Sequence, residues 1–316
     1  MLKTLHESGS QTKPVMNNSY EGSSRAPKHV HYGRYISIIP GVLLLLGLSV
    51  FPSIYALVVS FQKWVLTDPS GRRFNGLDNY KNILTNPEFW HTLKITLIFV
   101  FLTVLIESLL AYCIALLFFR PMPFHRIMRT LILLPMLTAP IVVGMLSRFM
   151  FDSQFGIINR FSEIIGLGRH DFLSGLNTAF PVIIAVDIWQ WTPFLFLIFL
   201  AAMQSVPEEL IEAAKLDGAS RFEIIKNIFL PLMKYPLIVG MTLRLIDSFR
   251  VYDLIYATTR GGPINLTSTM SWSIYDSGFK VLNVGMASAY SWLFLITVLL
   301  VSGIFLRQLS KENEER

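Results

Sequence analysis

Long apolar blocks alternate with short polar connections along the chain, and the first block sets the scale. From Ile36 to Phe61 there is no Asp, Glu, Lys or Arg, a stretch longer than the roughly 20 residues with which a helix crosses a bilayer. It begins too late and runs too long for the apolar region of a secretory signal, and no small-residue cleavage site closes it. Comparable blocks follow at 95–119, 130–146, 180–203, about 228–249 and 288–306. Lys234, Pro236 and Arg244 interrupt the fifth. It is retained because it returns the C-terminal residues Arg307, Lys311 and Arg316 to the side of the other basic segments, and because the stem of Lys234 can reach the interface from near a helix end. The pattern predicts an all-α, polytopic membrane helix bundle of six transmembrane helices with both termini cytoplasmic.

Charge placement supports that orientation. Residues 1–35 are rich in Ser, Asn, Pro and His, lack an apolar period, and read as a disordered cytoplasmic tail. Five basic residues there, Lys3, Lys13, Arg25, Lys28 and Arg34, outweigh Glu7 and Glu21. Residues 36–306 form the transmembrane domain, and 307–316 a cytoplasmic C-terminal tail. Arg120, Arg126 and Arg129, unopposed by any acid, place the connection between the second and third spans inside. The external segments, about 62–94, 147–179 and 250–287, carry mixed charge. Within the last, residues 267–284 combine Trp272, Ile274, Tyr275 and Phe279 with Asp276 and Lys280, which suits either an amphipathic helix at the outer interface or an ordered loop.

Composition narrows the function classes. The 316 residues are 53% hydrophobic and 15% charged, against about 25% charged in soluble domains. The single cysteine, Cys113, excludes an intrachain disulfide framework, and with six histidines no metal site is predicted. The net charge of +6 comes without a basic stripe interleaved with aromatics, so no nucleic-acid partner is implied. There is no HExxH, GxSxG or histidine cluster to suggest catalytic residues, and no GxxxxGK[ST] loop to cradle ATP. No cofactor is expected in this chain.

The connection between the fourth and fifth spans, residues 204–231, is dense in helix signals. Ser205 and Glu208 fit a capping box with Pro207 in the first turn, starting a helix near Val206. Gly218 suits the left-handed residue that ends it after Asp217. Ser220 and Glu223 repeat the box and start a second helix that runs toward Pro231. Leu210, Ala213, Ala214 and Asp217 share one helical face, and Phe222, Ile225 and Phe229 another. Such faces either pack on the protein's own helix ends or dock a partner, with Glu209 and Glu212 offering carboxylates to a basic neighbour.

These residues carry a resemblance. Glu212-Ala213-Ala214, three residues, Gly218, nine residues, then Ile228, Phe229, Leu230 and Pro231 resemble the EAA motif of binding-protein-dependent ABC importer permeases throughout its spacing. The resemblance implies a MetI-like permease core in a prokaryotic plasma (inner) membrane. It implies that this hairpin contains a coupling helix seated in a cleft of a separate ATPase, with Glu212, Ala213, Ala214, Asp217, Gly218, Leu230 and Pro231 as the coupling residues. Implied partners are a second, sister permease, two ATPase subunits that bind ATP and Mg, and an extracytoplasmic solute-binding protein. Phe74-Asn75-Gly76-Leu77-Asp78-Asn79-Tyr80, Asn86-Pro87-Glu88-Phe89-Trp90, Trp189-Gln190-Trp191-Thr192-Pro193-Phe194 and Gly261-Gly262-Pro263 are similar to the carbohydrate-importing branch, which includes maltose and glycerol-3-phosphate systems. A sugar or related polyol is therefore the implied cargo.

Charges inside spans cost about 2.5–3.5 kcal/mol at a helix centre, so they must face the bundle or a wet cavity. Glu107, Asp187, Arg244 and Asp247 are such residues. They either hydrogen-bond substrate hydroxyls beside aromatic platforms such as Trp189 and Trp191, or pair between helices, for example Glu107 or Asp187 with Arg244. By analogy with the family, Arg250, Tyr252 and Asp253 at the end of span five border the sugar cavity. The alternative, an ion-coupled secondary transporter using Glu107 and Asp187, leaves the EAA loop without a role.

Overall fold

The computed structural model describes residues 30–119 and 123–314. Residues 1–29, Arg120 and Arg316 lie outside the described residues, so most of the predicted tail and one member of the basic loop do too. A helix is already under way at Val30, which shortens the predicted tail of 1–35. The chain divides into two units, 1–52 and 53–316. In the first, a helix from Val30 passes through a wide π-type turn at Leu46–Val50.

Four helices are long and apolar enough to cross a membrane: Ile38–Ser60, Pro87–Phe118, Ala179–Gln204 and Val284–Arg307. Two bent helix pairs are also long and apolar enough when each is taken together. His125–Leu137 meets Pro140–Met150 at 97°, and Arg221–Leu232 meets Lys234–Ser248 at 70°. With each pair counted as one span, the described residues contain the six expected.

Local chemistry explains where the boundaries moved. The second span starts at Pro87 rather than residue 95, because the Asn86 side chain accepts the Glu88 amide at 2.9 Å and Pro87 has no N–H to satisfy in the first turn. The third span, expected as one rod over 130–146, breaks where Thr138 and Ala139 turn extended, with ψ of 136° and 135°. A residue preceding proline is disfavoured in the helical region, and Pro140 imposes that on Ala139. Exposed irregular backbone is not tolerated in lipid. Here the Thr138 carbonyl accepts from Gln190 Nε2 at 3.1 Å, and Gln190 is buried on the fourth span.

The second and fourth spans pack along each other as the centre of the larger unit. Two apolar clusters line that contact. One joins Ala111, Ala115, Leu195, Phe196 and Phe199 to residues of the 204–231 connection, and the other joins Phe99, Val104, Ile183, Phe249 and Trp272. Outside the spans, Gln62–Lys63 pairs antiparallel with Arg73–Phe74, a ribbon that sequence reading missed. Asn79 is buried there and donates to the carbonyls of Ser60 and Gln62 at 2.8 and 2.9 Å, tying the end of the first span to the helix Asp78–Thr85. Of the two options for 267–284, a helix is present, Met270–Tyr275, continued by a wide turn over Asp276–Lys280. Trp272 is buried within the protein.

Candidate functional site

Two groups of polar residues stand apart from the apolar packing. The first is the hairpin between the fourth and fifth spans. Its first helix is Glu208–Leu216, and Gly218 ends it at φ +82°. The Ala219 amide donates to Ala214 O at 2.9 Å and the Gly218 amide to Lys215 O at 3.1 Å, which is the Schellman pattern that satisfies the last carbonyls. The second capping box forms as expected: Ser220 Oγ accepts the Glu223 amide at 3.3 Å, and Glu223 Oε2 accepts the Ser220 amide at 2.7 Å. The Ser220 amide, and after it the Ser220 hydroxyl, hold the Glu223 carboxyl below its ordinary pKa.

The first capping box does not form. The fourth span continues through Gln204, so Ser205 remains helical and its hydroxyl bonds back to the Ala202 carbonyl at 2.8 Å. The hairpin helix starts instead at Glu208, after the extended residue Pro207 (ψ 131°).

The faces also differ from the expected ones. Val206, Ile211, Ile224 and Phe229 turn inward onto the bundle, while Ala214 is half-buried against it. Ile224 and Phe229 are five residues apart, and they share a side because Ile225–Phe229 forms a π-type turn. The same turn separates Phe222 from Phe229, which had been grouped. Glu209, Glu212, Ala213, Asp217 and Gly218 are exposed. Leu216, which sequence reasoning did not single out, and Phe222, which it placed on one face with Ile225 and Phe229, are 89% and 71% exposed at the hairpin tip. Their signal was available: apolar residues flanking a glycine turn, off the inward face. Leu230 and Pro231 are also exposed, close to the bend into the fifth span.

The second group lies inside the bundle. Arg244, 1% exposed, donates Nε to Glu107 Oε2 at 2.6 Å and Nη2 to Glu107 Oε1 at 2.9 Å. This is the paired, fork-like geometry of the stronger ion pairs. Nη2 also donates to Asp187, and Nη1 reaches Asp247 at 3.3 Å. The guanidinium centre sits 5.3 Å from the Trp191 ring. Three spans thus meet on one cation, because removing each carboxylate from water is costly unless it is paired. Interhelical pairing accounts for Glu107 and Asp187 together, where sequence reading weighed them as alternatives. Asp247 differs, with its side chain 40% exposed.

Beside this cluster is a cavity of about 200 Å³. Asp187, Trp191, Arg244, Asp247, Arg250, Tyr252 and Asp253 all border it, as do Gln190 and Pro140 at the break in the third span. Trp189 does not. It is 58% exposed and borders a separate apolar groove with Leu110, Ile188 and Pro193. Two positions along a helix are about 200° apart, so Trp189 and Trp191 cannot form one platform. Tyr252 extends the cavity wall into an aromatic group, with ring centroids 4.9 Å from Tyr275 and 6.5 Å from Trp272.

The described residues contain no group of His, Cys, Asp or Glu arranged to hold a metal. Comparison with known proteins is decisive on class. Residues 107–311, more than half of the chain, match the model for the binding-protein-dependent transport system inner membrane component. The chain belongs to that family. It is a multi-pass, membrane-spanning permease of the ABC importer type, and the secondary-transporter alternative is set aside. The permease is 33% identical over 273 residues to the trehalose/maltose transport system permease protein MalF of Thermococcus litoralis, covering 86% of this chain and 92% of that one. It is 32% identical over 276 residues to the sn-glycerol-3-phosphate transport system permease protein UgpA of Pectobacterium atrosepticum, covering 85% and 90%. Its fold matches a chain of a bacterial ABC transporter that imports the acidic polysaccharide alginate, with a TM-score of 0.78 at 22% identity, covering 89% of this chain and 96% of that one.

Proposed function

We propose that this permease moves a sugar or a related polyol or sugar derivative, delivered by an extracytoplasmic solute-binding protein, past the cavity bordered by Trp191, Asp247 and Tyr252. The energy comes from two separate ATPase subunits that bind ATP and Mg, and a sister permease completes the pathway. The observation that carries the coupling role is the contrast within one hairpin. Its inner face is packed on the bundle, whereas Glu212, Ala213, Leu216 and Phe222 are bare on an element closed by the Gly218 turn and the Ser220–Glu223 box. An ATPase cleft covers that face, with a basic side chain opposite Glu212.

In this reading the hairpin and both termini lie in the cytoplasm, as the basic residues Arg126, Arg129 and Arg307 favour. Relatives named for trehalose/maltose, glycerol-3-phosphate and starch products support a hydroxyl-rich cargo. Trp191 and Tyr252 offer apolar ring faces, and Asp247 and Asp253 offer acceptors for hydroxyl donors.

ATP-driven uptake of labelled sugar by the assembled importer in proteoliposomes tests the pathway. Trp191→Ala and Tyr252→Ala should each raise KM on the order of tenfold with the complex intact. Unchanged kinetics in both variants would place the pathway elsewhere.

A further inference from the structure

The relatives' names include both neutral and anionic solutes, so family membership leaves the cargo's charge open. We infer that this cavity selects an uncharged, hydroxyl-rich sugar and rejects an acidic one, such as a uronate or a phosphorylated sugar. The inference rests on the proposed transport role of the cavity and adds the charge class of the cargo.

Arg244 is the cation closest to the buried carboxylates, and its charge is spent inward. Two of its nitrogens serve Glu107, one of these also serves Asp187, and both carboxylates are buried. A substrate anion approaching Arg244 would meet a guanidinium whose donors are already engaged by Glu107, Asp187 and Asp247. The remaining lining charges are Asp247, loosely held at 3.3 Å and 40% exposed, and Asp253 and Arg250, both exposed. Three carboxylates border the cavity, Asp187, Asp247 and Asp253, against two guanidiniums, Arg244 and Arg250, and Glu107 behind the wall holds Arg244 as well. Such an excess repels anions more strongly in a partly desolvated site than in water. Sugar hydroxyls are suited to it instead: they donate to Asp247 and Asp253, accept from Arg250, and stack their apolar faces on Trp191 and Tyr252.

Saturation-transfer NMR on the assembled importer in nanodiscs, without the binding protein, separates the cavity's own preference from delivery. The probes are trehalose and glucuronate, each at low and high salt. Trehalose should bind with little salt dependence, and glucuronate should bind on the order of tenfold more weakly, with the gap narrowing as salt screens the carboxylates. The double variant Asp247→Asn/Asp253→Asn keeps an acceptor oxygen at both positions, so it should weaken trehalose transfer only modestly while closing the gap for glucuronate, and an unchanged thermal unfolding midpoint reports that the bundle is still folded.

Glucuronate bound as tightly as trehalose and lost in Arg250→Gln would overturn the inference while leaving the transport site in place. Trehalose transfer that is absent, or unchanged in Trp191→Ala and Tyr252→Ala, would refute the transport role of the cavity and the charge selection with it.

Discussion

The Arg244 cluster and the Glu212 hairpin both concentrate charge, yet they treat it in opposite ways. Around Arg244, three carboxylates from three spans converge on one guanidinium, with Glu107 and Asp187 buried. In the hairpin, Glu209, Glu212 and Asp217 stand exposed beside the exposed apolar side chains of Leu216 and Phe222. The difference follows from the medium. A charge within the bilayer must find its partner inside the protein, because lipid offers none. A charge on a loop is solvated until a partner arrives, so its structure alone looks incomplete. The buried cluster explains how this chain holds together, and the bare hairpin points to another chain.

The largest effect that would break this contrast is at Arg244. Arg244→Met leaves Glu107 and Asp187 buried without a counter-charge and should destabilise the bundle by about 3–5 kcal/mol. Thermal unfolding in detergent should show a large loss of stability and yield. Adding Glu107→Gln and Asp187→Asn should recover most of it, since a neutral, hydrogen-bonding interior removes the penalty. If Arg244→Met alone is tolerated, the cluster is not a structural staple.

Gly218 sharpens the other side. No atom lies within 4 Å of where a Cβ would sit, so the constraint at Gly218 is its φ of +82° rather than space. Gly218→Val should cost about 1–2 kcal/mol through the left-handed backbone alone, read as faster hydrogen exchange at 213–219 with unchanged spans. Faster exchange throughout the fourth and fifth spans would mean that the hairpin is part of the bundle's stability.

Much of this was legible in the sequence where the signal is local. Long apolar blocks located the spans, and Gly218 with Ser220 and Glu223 located the turn and second helix of the hairpin, because each acts on neighbours within a few residues. What was not legible depended on distant partners or on helical phase. Arg244 and Glu107 are 137 positions apart, and nothing local tells Arg244 to satisfy two carboxylates at once. Trp189 and Trp191 look like a pair in the sequence, but rotation along the helix puts one on an apolar groove and the other on the cavity. Ser205 and Glu208 had the right spacing for a cap. The preceding span simply ran through Ser205 and took its hydroxyl for its own end.

Smaller effects should come from the second cap. Ser220→Ala should cost about 0.5–2 kcal/mol of local helix stability, seen as faster exchange at 221–224 without a change in the span helices. The same cap should weaken in acid. Glu223 has a folded pKa below its ordinary value, so its contribution is full above the unfolded carboxylate range and is lost as pH falls through the lower folded value. Protection factors at 221–224, corrected for the intrinsic pH dependence of amide exchange, should therefore fall on acidification in the native chain, with a much reduced response in Glu223→Gln. An identical response in both would mean that another group controls the hairpin.

The most direct test of the proposed division of labour is ATP-driven uptake by membranes carrying Glu212→Lys in the assembled importer, measured with the amount of inserted permease. Glu212 is exposed and outside the packed core, so its replacement should leave insertion and thermal stability within about 0.5 kcal/mol of the native chain. Uptake should nevertheless fall to background. Full uptake by that variant would contradict a hairpin that couples the permease to its ATPase.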